Sequence, residues 1–353
     1  MSGGIDSSIA ALLLHHEGYE IIGITMKTWD FSSSGGSKKE TGCCSLDSIN
    51  DARQLAVELG FPHYVLDLRE EFTDKIVNNF VDEYMHGRTP NPCILCNTYI
   101  KWDALLRRAD ELGCAFIATG HYAKLKKIQD RVYVTKGEDG SKDQSYVLWG
   151  ISQQSLKRTL FPLGDMKKSE VRELARKHGF PQLANKKESY EICFIPDDDY
   201  RGFLKRRVEG LEDKVKGGDF VLSDGKIVGK HKGFPFYTIG QRKGLEIALG
   251  EPMYVNKIDA QNNQVIIGPK ESLLSDSMLV GRLNFQKYET IIDGMEVDVQ
   301  IRHHDPGTPA KLYNENGFIR VRFERSVSAI TPGQSAVFFE GDDVIGGGFI
   351  LEI

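Results

Sequence analysis

The sequence has no run approaching the roughly 18 apolar residues that a membrane-spanning helix requires, and no leader of the secretory type. A membrane location is therefore not expected, and a cytoplasmic one is. Six cysteines, at 43, 44, 93, 96, 114 and 193, are too few in 353 residues to form a secreted disulfide scaffold. In a cytosolic chain they point to metal binding or thiol chemistry. No glycine-rich loop ends in Gly-Lys-Ser/Thr, which excludes a Walker A phosphate site. No second Cys-x-x-Cys follows the first at zinc-finger distance, which counts against structural zinc. A net charge of −5 excludes a general basic coat for nucleic acid, although it leaves room for a local basic face. No internal repeat is visible. The chain has an ordinary soluble composition, 40% hydrophobic and 27% charged, with enough length for two or three cores.

The most informative stretch comes first: Met1-Ser2-Gly3-Gly4-Ile5-Asp6-Ser7-Ser8, followed by an apolar run to Leu14. Adjacent glycines permit backbone shapes and close approaches that a Cβ would block. Ser7 or Ser8 can cap the helix that follows, with Ile9, Leu12 and Leu13 on its buried face. Amide groups at such a helix start form an anion site whose usual guest is phosphate.

Strand and helix patterns then alternate: strands at 20–26, 63–68 and 115–119, and helices at 47–60, 72–84, 97–112 and 167–179. Alternation of this kind predicts a parallel α/β sheet with its ligands beyond the carboxyl ends of the strands. The 2–7 loop, Met26, the 90–97 loop and Gly120-His121 all fall at or beside such ends. From about Gly217 short β-rich runs take over, and from Met278 onward they read as a small all-β barrel or sandwich.

Thr89-Pro90-Asn91-Pro92-Cys93-Ile94-Leu95-Cys96-Asn97 is the second anchor, stiffened by two prolines. Cys96 is expected near the N-terminus of the helix beginning at Asn97, where a thiol's pKa falls. The Cys-x-x-Cys pair alone leaves structural zinc, a redox pair and coincidence open. Cys193, between Ile192 and Phe194, reads by itself as core, as does Cys114. Cys43 and Cys44 read as structural or incidental.

The first motif resembles the pyrophosphate loop of ATP-pyrophosphatases, which cleave ATP between its α and β phosphates. SGGIDSS, TPNPCILCN, ATGHYA, KDQSYVLW, ESYEICFIP, FYTIGQRKGL, IRHH and TPGQSAVFF occur in the order found in the tRNA-specific 2-thiouridylases, and the similarity covers nearly the whole chain. It implies an α/β PP-loop ATP-pyrophosphatase domain at 1–206, a small β-rich tRNA-binding domain at 207–275 and a C-terminal β-barrel at 276–353. In that family a buried strand precedes the loop, so a truncated or misassigned start is expected here.

The resemblance also implies roles. ATP, with inferred Mg2+, would bind Met1, Ser2, Gly3, Gly4, Ile5, Asp6, Ser7, Met26 and Gly120. Cys96 and Cys193 would be catalytic, Cys193 carrying a persulfide and Cys96 releasing its outer sulfur. Asn91, Pro92 and Cys93 would line the target base. His121, Lys142, Asp143, Gln144, Arg302, His303 and Gln334 would contact a tRNA with a wobble uridine, of the lysine, glutamate or glutamine type. A cysteine desulfurase or relay protein would supply the sulfur. Some members carry Asp where this chain has Cys93. That places three cysteines (93, 96 and 193) around one pocket, and an iron–sulfur cluster is the alternative they raise. No other metal site is expected. Between 201 and 232 stand nine Lys/Arg and five Asp/Glu, a local basic face that could position RNA. The rival readings are an amidating or ligating ATP-pyrophosphatase without thiol chemistry, a non-catalytic RNA binder and a metal or redox module.

Overall fold

The computed structural model describes residues 1–29, 45–186 and 192–352. Cys43, Cys44, the Ser/Gly-rich stretch after Trp29 and the 188–191 part of the motif before Cys193 lie outside them. The chain forms two compact units: 1–76, 93–199 and 342–344 in the first, and 77–92, 200–341 and 345 onward in the second.

In the first unit, helix α1 (Ile5–His16) is nearly enclosed. Ile5, Ile9, Ala10 and Leu12 pack with Val171, Ala175, Phe180 and Leu183. Its N-cap is Gly4, without a side-chain cap, and neither Ser7 nor Ser8 takes the expected capping role. Ser7 lies inside the first turn. There its hydroxyl accepts Ser2 N (3.0 Å), donates to Gly4 O (3.2 Å) and faces Ser2 Oγ at 3.3 Å. The serine closes the loop on itself instead of starting the helix. Helix α2 (Leu46–Leu59) does begin on a cap, Ser45 Oγ accepting Ser48 N, and stops at left-handed Gly60 as expected.

Strands β1 (Gly23–Lys27) and β2 (His63–Asp67) pair in parallel. So do β3 (Ile117–Ala118) and the short Thr159–Leu160 strand, giving two parallel pairs. An antiparallel hairpin, β4 (Ala123–Ile128) with β5 (Arg131–Lys136), lies between β3 and that last strand, β6, in sequence. It was not foreseen. Its tight Gln129-Asp130 turn has no glycine to signal it, and Gln129 itself takes φ 52.

The helix expected at 97–112 starts earlier. Pro92 opens a turn at Pro92–Leu95, which continues as a π-helix over Cys96–Ala104 and an α-helix over Leu105–Glu111. Proline suits a first helical position because its missing N–H would have no partner there. The expected 72–84 helix likewise spans Arg69–Phe72, a π segment Thr73–Val77 and Asn78–Met85. Helix α3 (Lys168–Lys177) carries a capping box in which Glu170 returns to Lys167 N at 2.6 Å.

The second unit holds β7 (Asp219–Val221), β8 (Ile227–Lys230), β9 (Tyr254–Asp259) and β10 (Gln264–Gly268), with order β8-β7-β10-β9. It also holds the expected barrel, apart from the first two residues of its last strand: β11 (Leu274–Phe285), β12 (Met295–Gln300), β13 (Thr308–Glu315), β14 (Phe318–Ser328), β15 (Ser335–Glu340) and β16 (Asp343–Glu352). These run β11-β14-β13-β12-β15-β16, and β16 closes on β11. Val280, Val299, Leu312, Val321, Phe338 and Ile345 fill its interior. Among the described residues no helix is long and apolar enough to cross a membrane.

Candidate nucleotide and thiol site

Two glycines fix the loop at 2–7 by contact. Gly3 takes φ +65, and a Cβ there would lie 2.1 Å from Ser48 O. A Cβ on Gly120 would lie 2.6 Å from Asp6 C and 2.8 Å from Ser7 N, so Gly120 backs directly onto the loop. Ile5 turns into the core, which leaves only its backbone for a ligand. Met26 sits half-buried near the carboxyl end of β1, and the Met1 ammonium donates to Ile24 O of the same strand.

Three residues that sequence reasoning missed hold this loop. The Lys168 ammonium meets both carboxylate oxygens of Asp6 at 2.7 Å. Tyr122 OH donates to the same carboxylate at 2.7 Å. Lys186 donates to Gly3 O (2.9 Å) and to Asp51 (2.6 Å). Partners up to 183 residues apart leave no local pattern to read.

Cys93 lies in the first helical turn and Cys96 a turn further in, so the N-terminal position expected for Cys96 falls to Cys93. Cys93 is open to solvent on one side. The protein around it nevertheless pushes its thiol above the ordinary value, with the Lys101 ammonium acting in the opposite direction. A thiol raised in this way ionises less readily near neutral pH than a free cysteine does. Cys96 and Cys114 are half-buried.

Cys193 is exposed and not core, contrary to its local reading. Its neighbour Phe194 takes the buried position, with ring centroids 5.9 Å from Trp29 and 5.7 Å from Phe72. Alternation across this turn buries the ring and presents the thiol. Phe194→Leu removes the ring and its contacts with Trp29 and Phe72 and is expected to lower stability by about 1–3 kcal/mol, read by chemical denaturation. Among the described residues no three His, Cys, Asp or Glu side chains gather closely enough to hold a metal ion, so the grouping of Cys93, Cys96 and Cys193 that an iron–sulfur cluster would need is not found there.

His121 is buried between Trp102 and Phe161, 5.5 and 6.0 Å between ring centroids. Its Nδ1 lies 2.7 Å from Thr119 Oγ1 and its Nε2 3.5 Å from Lys101 Nζ. An ammonium can only donate, so Nε2 accepts and Nδ1 carries the proton. Burial, then Lys101, hold the imidazole well below 6.5. The stabilisation from keeping it neutral is complete above pH 6.5, the ordinary value, and is lost progressively as pH falls below it. Thermal unfolding at pH 7.5 and 5.5 should therefore show an acid-induced drop that shrinks in His121→Asn.

Lys142, Asp143 and Gln144 stand on one pinned segment. Asp143 accepts Gly137 N (3.0 Å) and Ser145 Oγ (2.6 Å), while Gln144 Oε1 accepts Tyr122 N (3.0 Å).

In the second unit Gln334 donates to Thr89 O at 2.8 Å, two residues before half-buried Asn91 and buried Pro92. Arg302 and His303 are exposed on the β12–β13 turn, and the next residue, His304, is forced to φ 63. Four lysines of the basic stretch are engaged in ion pairs, one of them with an acid outside it. Lys205, Lys216, Lys230 and Lys232 each pair with an acid, Glu212, Asp213, Asp219 and Glu246, within 2.9 Å.

Three family models match in succession: the tRNA methyl transferase HUP domain over residues 1–197, the tRNA methyl transferase PRC-barrel domain over 201–269 and the aminomethyltransferase beta-barrel domain over 275–350. A tRNA-specific 2-thiouridylase MnmA of Amoebophilus asiaticus is 62% identical over 352 residues, 99% of this chain and 93% of that protein. Proteins of the same name from Cytophaga hutchinsonii and Salinibacter ruber are 60% and 53% identical, over 99% and 100% of this chain and 95% and 93% of theirs. On matches of this extent, the chain belongs to the tRNA-specific 2-thiouridylase family.

Proposed function

We propose that this protein is an ATP-dependent sulfurtransferase that replaces the C2 oxygen of a tRNA wobble uridine with sulfur. The observation that carries the reading is the closed 2–7 loop, backed by Gly120 and pinned by Lys168 and Lys186, in the same unit as an exposed Cys193 and a half-buried Cys96. The names of the relatives support the substrate.

In this reading the loop amides hold the phosphates of ATP, whose Mg2+ arrives with the nucleotide. The C2 oxygen attacks the α-phosphorus and pyrophosphate leaves, making the oxygen part of a good leaving group. A donor protein such as a cysteine desulfurase or a relay protein transfers sulfane sulfur to Cys193. The Cys96 thiolate attacks the inner sulfur of that persulfide. This forms a Cys96–Cys193 disulfide and expels hydrosulfide, which attacks C2 and displaces AMP. An external dithiol supplies the two electrons that reopen the disulfide. The chemistry belongs to 1–206, with 207–275 and 276–353 as RNA-facing domains; Asn91, Pro92 and Cys93 receive the base, and His121, Lys142, Asp143, Gln144, Arg302, His303 and Gln334 serve the tRNA. The cytoplasm is where these substrates meet.

The test is anaerobic incubation with ATP, Mg2+, sulfide and unmodified tRNA bearing a wobble uridine, followed by nuclease digestion and mass analysis. 2-Thiouridine and AMP in equal amounts are expected. AMP without thiolated nucleoside would favour an amidating or ligating enzyme, and neither product would remove the proposal.

A further inference from the structure

The Asp6 carboxylate joins two parts of the first unit that are far apart in sequence. On one route Tyr122 donates its phenol proton to Asp6 at 2.7 Å. The backbone of Tyr122 is locked to Gln144 in both directions, Tyr122 N to Gln144 Oε1 and Gln144 N to Tyr122 O, each 3.0 Å. Packing leaves no slack there, since a Cβ on Gly137 would lie 2.9 Å from Tyr122 O. On the second route Lys168 spans Asp6 with its ammonium, while its backbone N donates to Asp139 Oδ2 at 2.9 Å. Asp139 also binds Ser141 N (3.1 Å) and accepts Lys142 N on its carbonyl (2.9 Å). The two routes touch, because Lys168 Nζ lies 5.5 Å from the centre of the Tyr122 ring. Both lead from the 2–7 loop to the segment that carries Lys142, Asp143 and Gln144.

We propose that Tyr122 and Lys168 are positioning residues that couple the nucleotide loop to the 139–144 segment, so that ATP and tRNA bind interdependently. The inference rests on reading 2–7 as the ATP loop and 142–144 as an RNA contact. The physical cause is competition for one cation. A triphosphate arriving beside Asp6 draws on the Lys168 ammonium, a side chain only 10% exposed. With its backbone tied to Asp139, the lysine passes any shift to the segment beyond. Tyr122 transmits through Gln144 whatever Asp6 does. Linkage requires the reverse as well: RNA that fixes 139–144 fixes Asp6 and Lys168 in one arrangement and changes the affinity for nucleotide by the same factor.

The experiment measures dissociation of a non-cleavable α,β-methylene ATP analogue from the full chain, with and without saturating unmodified tRNA. In the wild type tRNA should change the analogue's affinity about 5-fold or more, the usual lower range of such coupling. In Tyr122→Phe, which removes one oxygen and keeps the buried ring, the ratio should fall toward 1, as it should in Lys168→Gln. A merely structural role would weaken both ligands or lower Tm and leave the ratio where it was. A wild-type ratio of 1, or a ratio unchanged in Tyr122→Phe, overturns the proposal. Failure of the underlying reading looks different: the wild type would then bind no analogue or no tRNA at all, and the coupling would fall with it. Should Lys168→Gln not fold, Tyr122→Phe decides alone.

Discussion

With a persulfide sulfur donor, replacing Cys193 by serine is expected to reduce tRNA thiolation by about three orders of magnitude or more, the scale on which an enzyme loses rate when its covalent nucleophile is removed, whereas free sulfide should restore part of the activity. A hydroxyl cannot carry sulfane sulfur, so no conservative geometry rescues the step. Cys193 is exposed on a turn whose anchor is Phe194, and serine leaves that anchor untouched. Stability and nucleotide binding should accordingly stay at wild-type values, which separates lost chemistry from lost fold. Cys96→Ser should give a different pattern. With a persulfide donor it should trap sulfur on Cys193 and stop turnover, whereas with free sulfide the defect should be partial, because hydrosulfide is then supplied directly. The measurement is 2-thiouridine per AMP formed, under both sulfur sources, for each variant. Equal and full activity in both serine variants with the persulfide donor would end the thiol mechanism.

What the sequence made legible was local. The glycine pair, the prolines around Cys93 and the alternating barrel strands each act within a few residues, and each appears where its pattern placed it. Ser7 misled because serine before an apolar run is the usual capping signal, while here its hydroxyl bonds backward to close the loop. The π segment after Cys96 was hidden for a similar reason: over two turns its apolar spacing is that of an α-helix. His121, which the resemblance implies as a tRNA contact, is enclosed by Trp102 and Phe161, rings brought to it from segments that no local pattern connects. Least legible was the support of the loop. Lys168 and Lys186 belong to segments more than 160 residues from the loop groups they hold, and a lysine ordinarily reads as solvated surface.

Gly120→Ala tests that support from its most crowded point. The new methyl would need to occupy space 2.6 Å from Asp6 C and 2.8 Å from both Asp6 O and Ser7 N, all backbone atoms that cannot rotate away. Either β3 and the turn after it retreat, or the loop does. The loop is the weaker party, because Ile5 anchors one side in the core while the Asp6 carboxylate is held by the side chains of Lys168 and Tyr122. Overpacking of this kind costs about 1–3 kcal/mol in stability. Its effect on nucleotide binding should be larger than its effect on folding, since the displaced atoms are the amides that would face phosphate and misplacement of about 1 Å can cost 100-fold in rate. Isothermal titration with the ATP analogue should show affinity falling by at least tenfold, while tRNA binding without nucleotide changes little. Gly3→Ala should be worse, because it adds a strained φ of +65 to a contact of 2.1 Å with Ser48 O. Gly4→Ala, whose Cβ would meet only Ser2 Oγ at 3.4 Å, serves as the control for folding stability, which it should leave near the wild-type value. Equal losses in all three would mean that the glycines act through chain flexibility, and the packing account of the loop would be wrong.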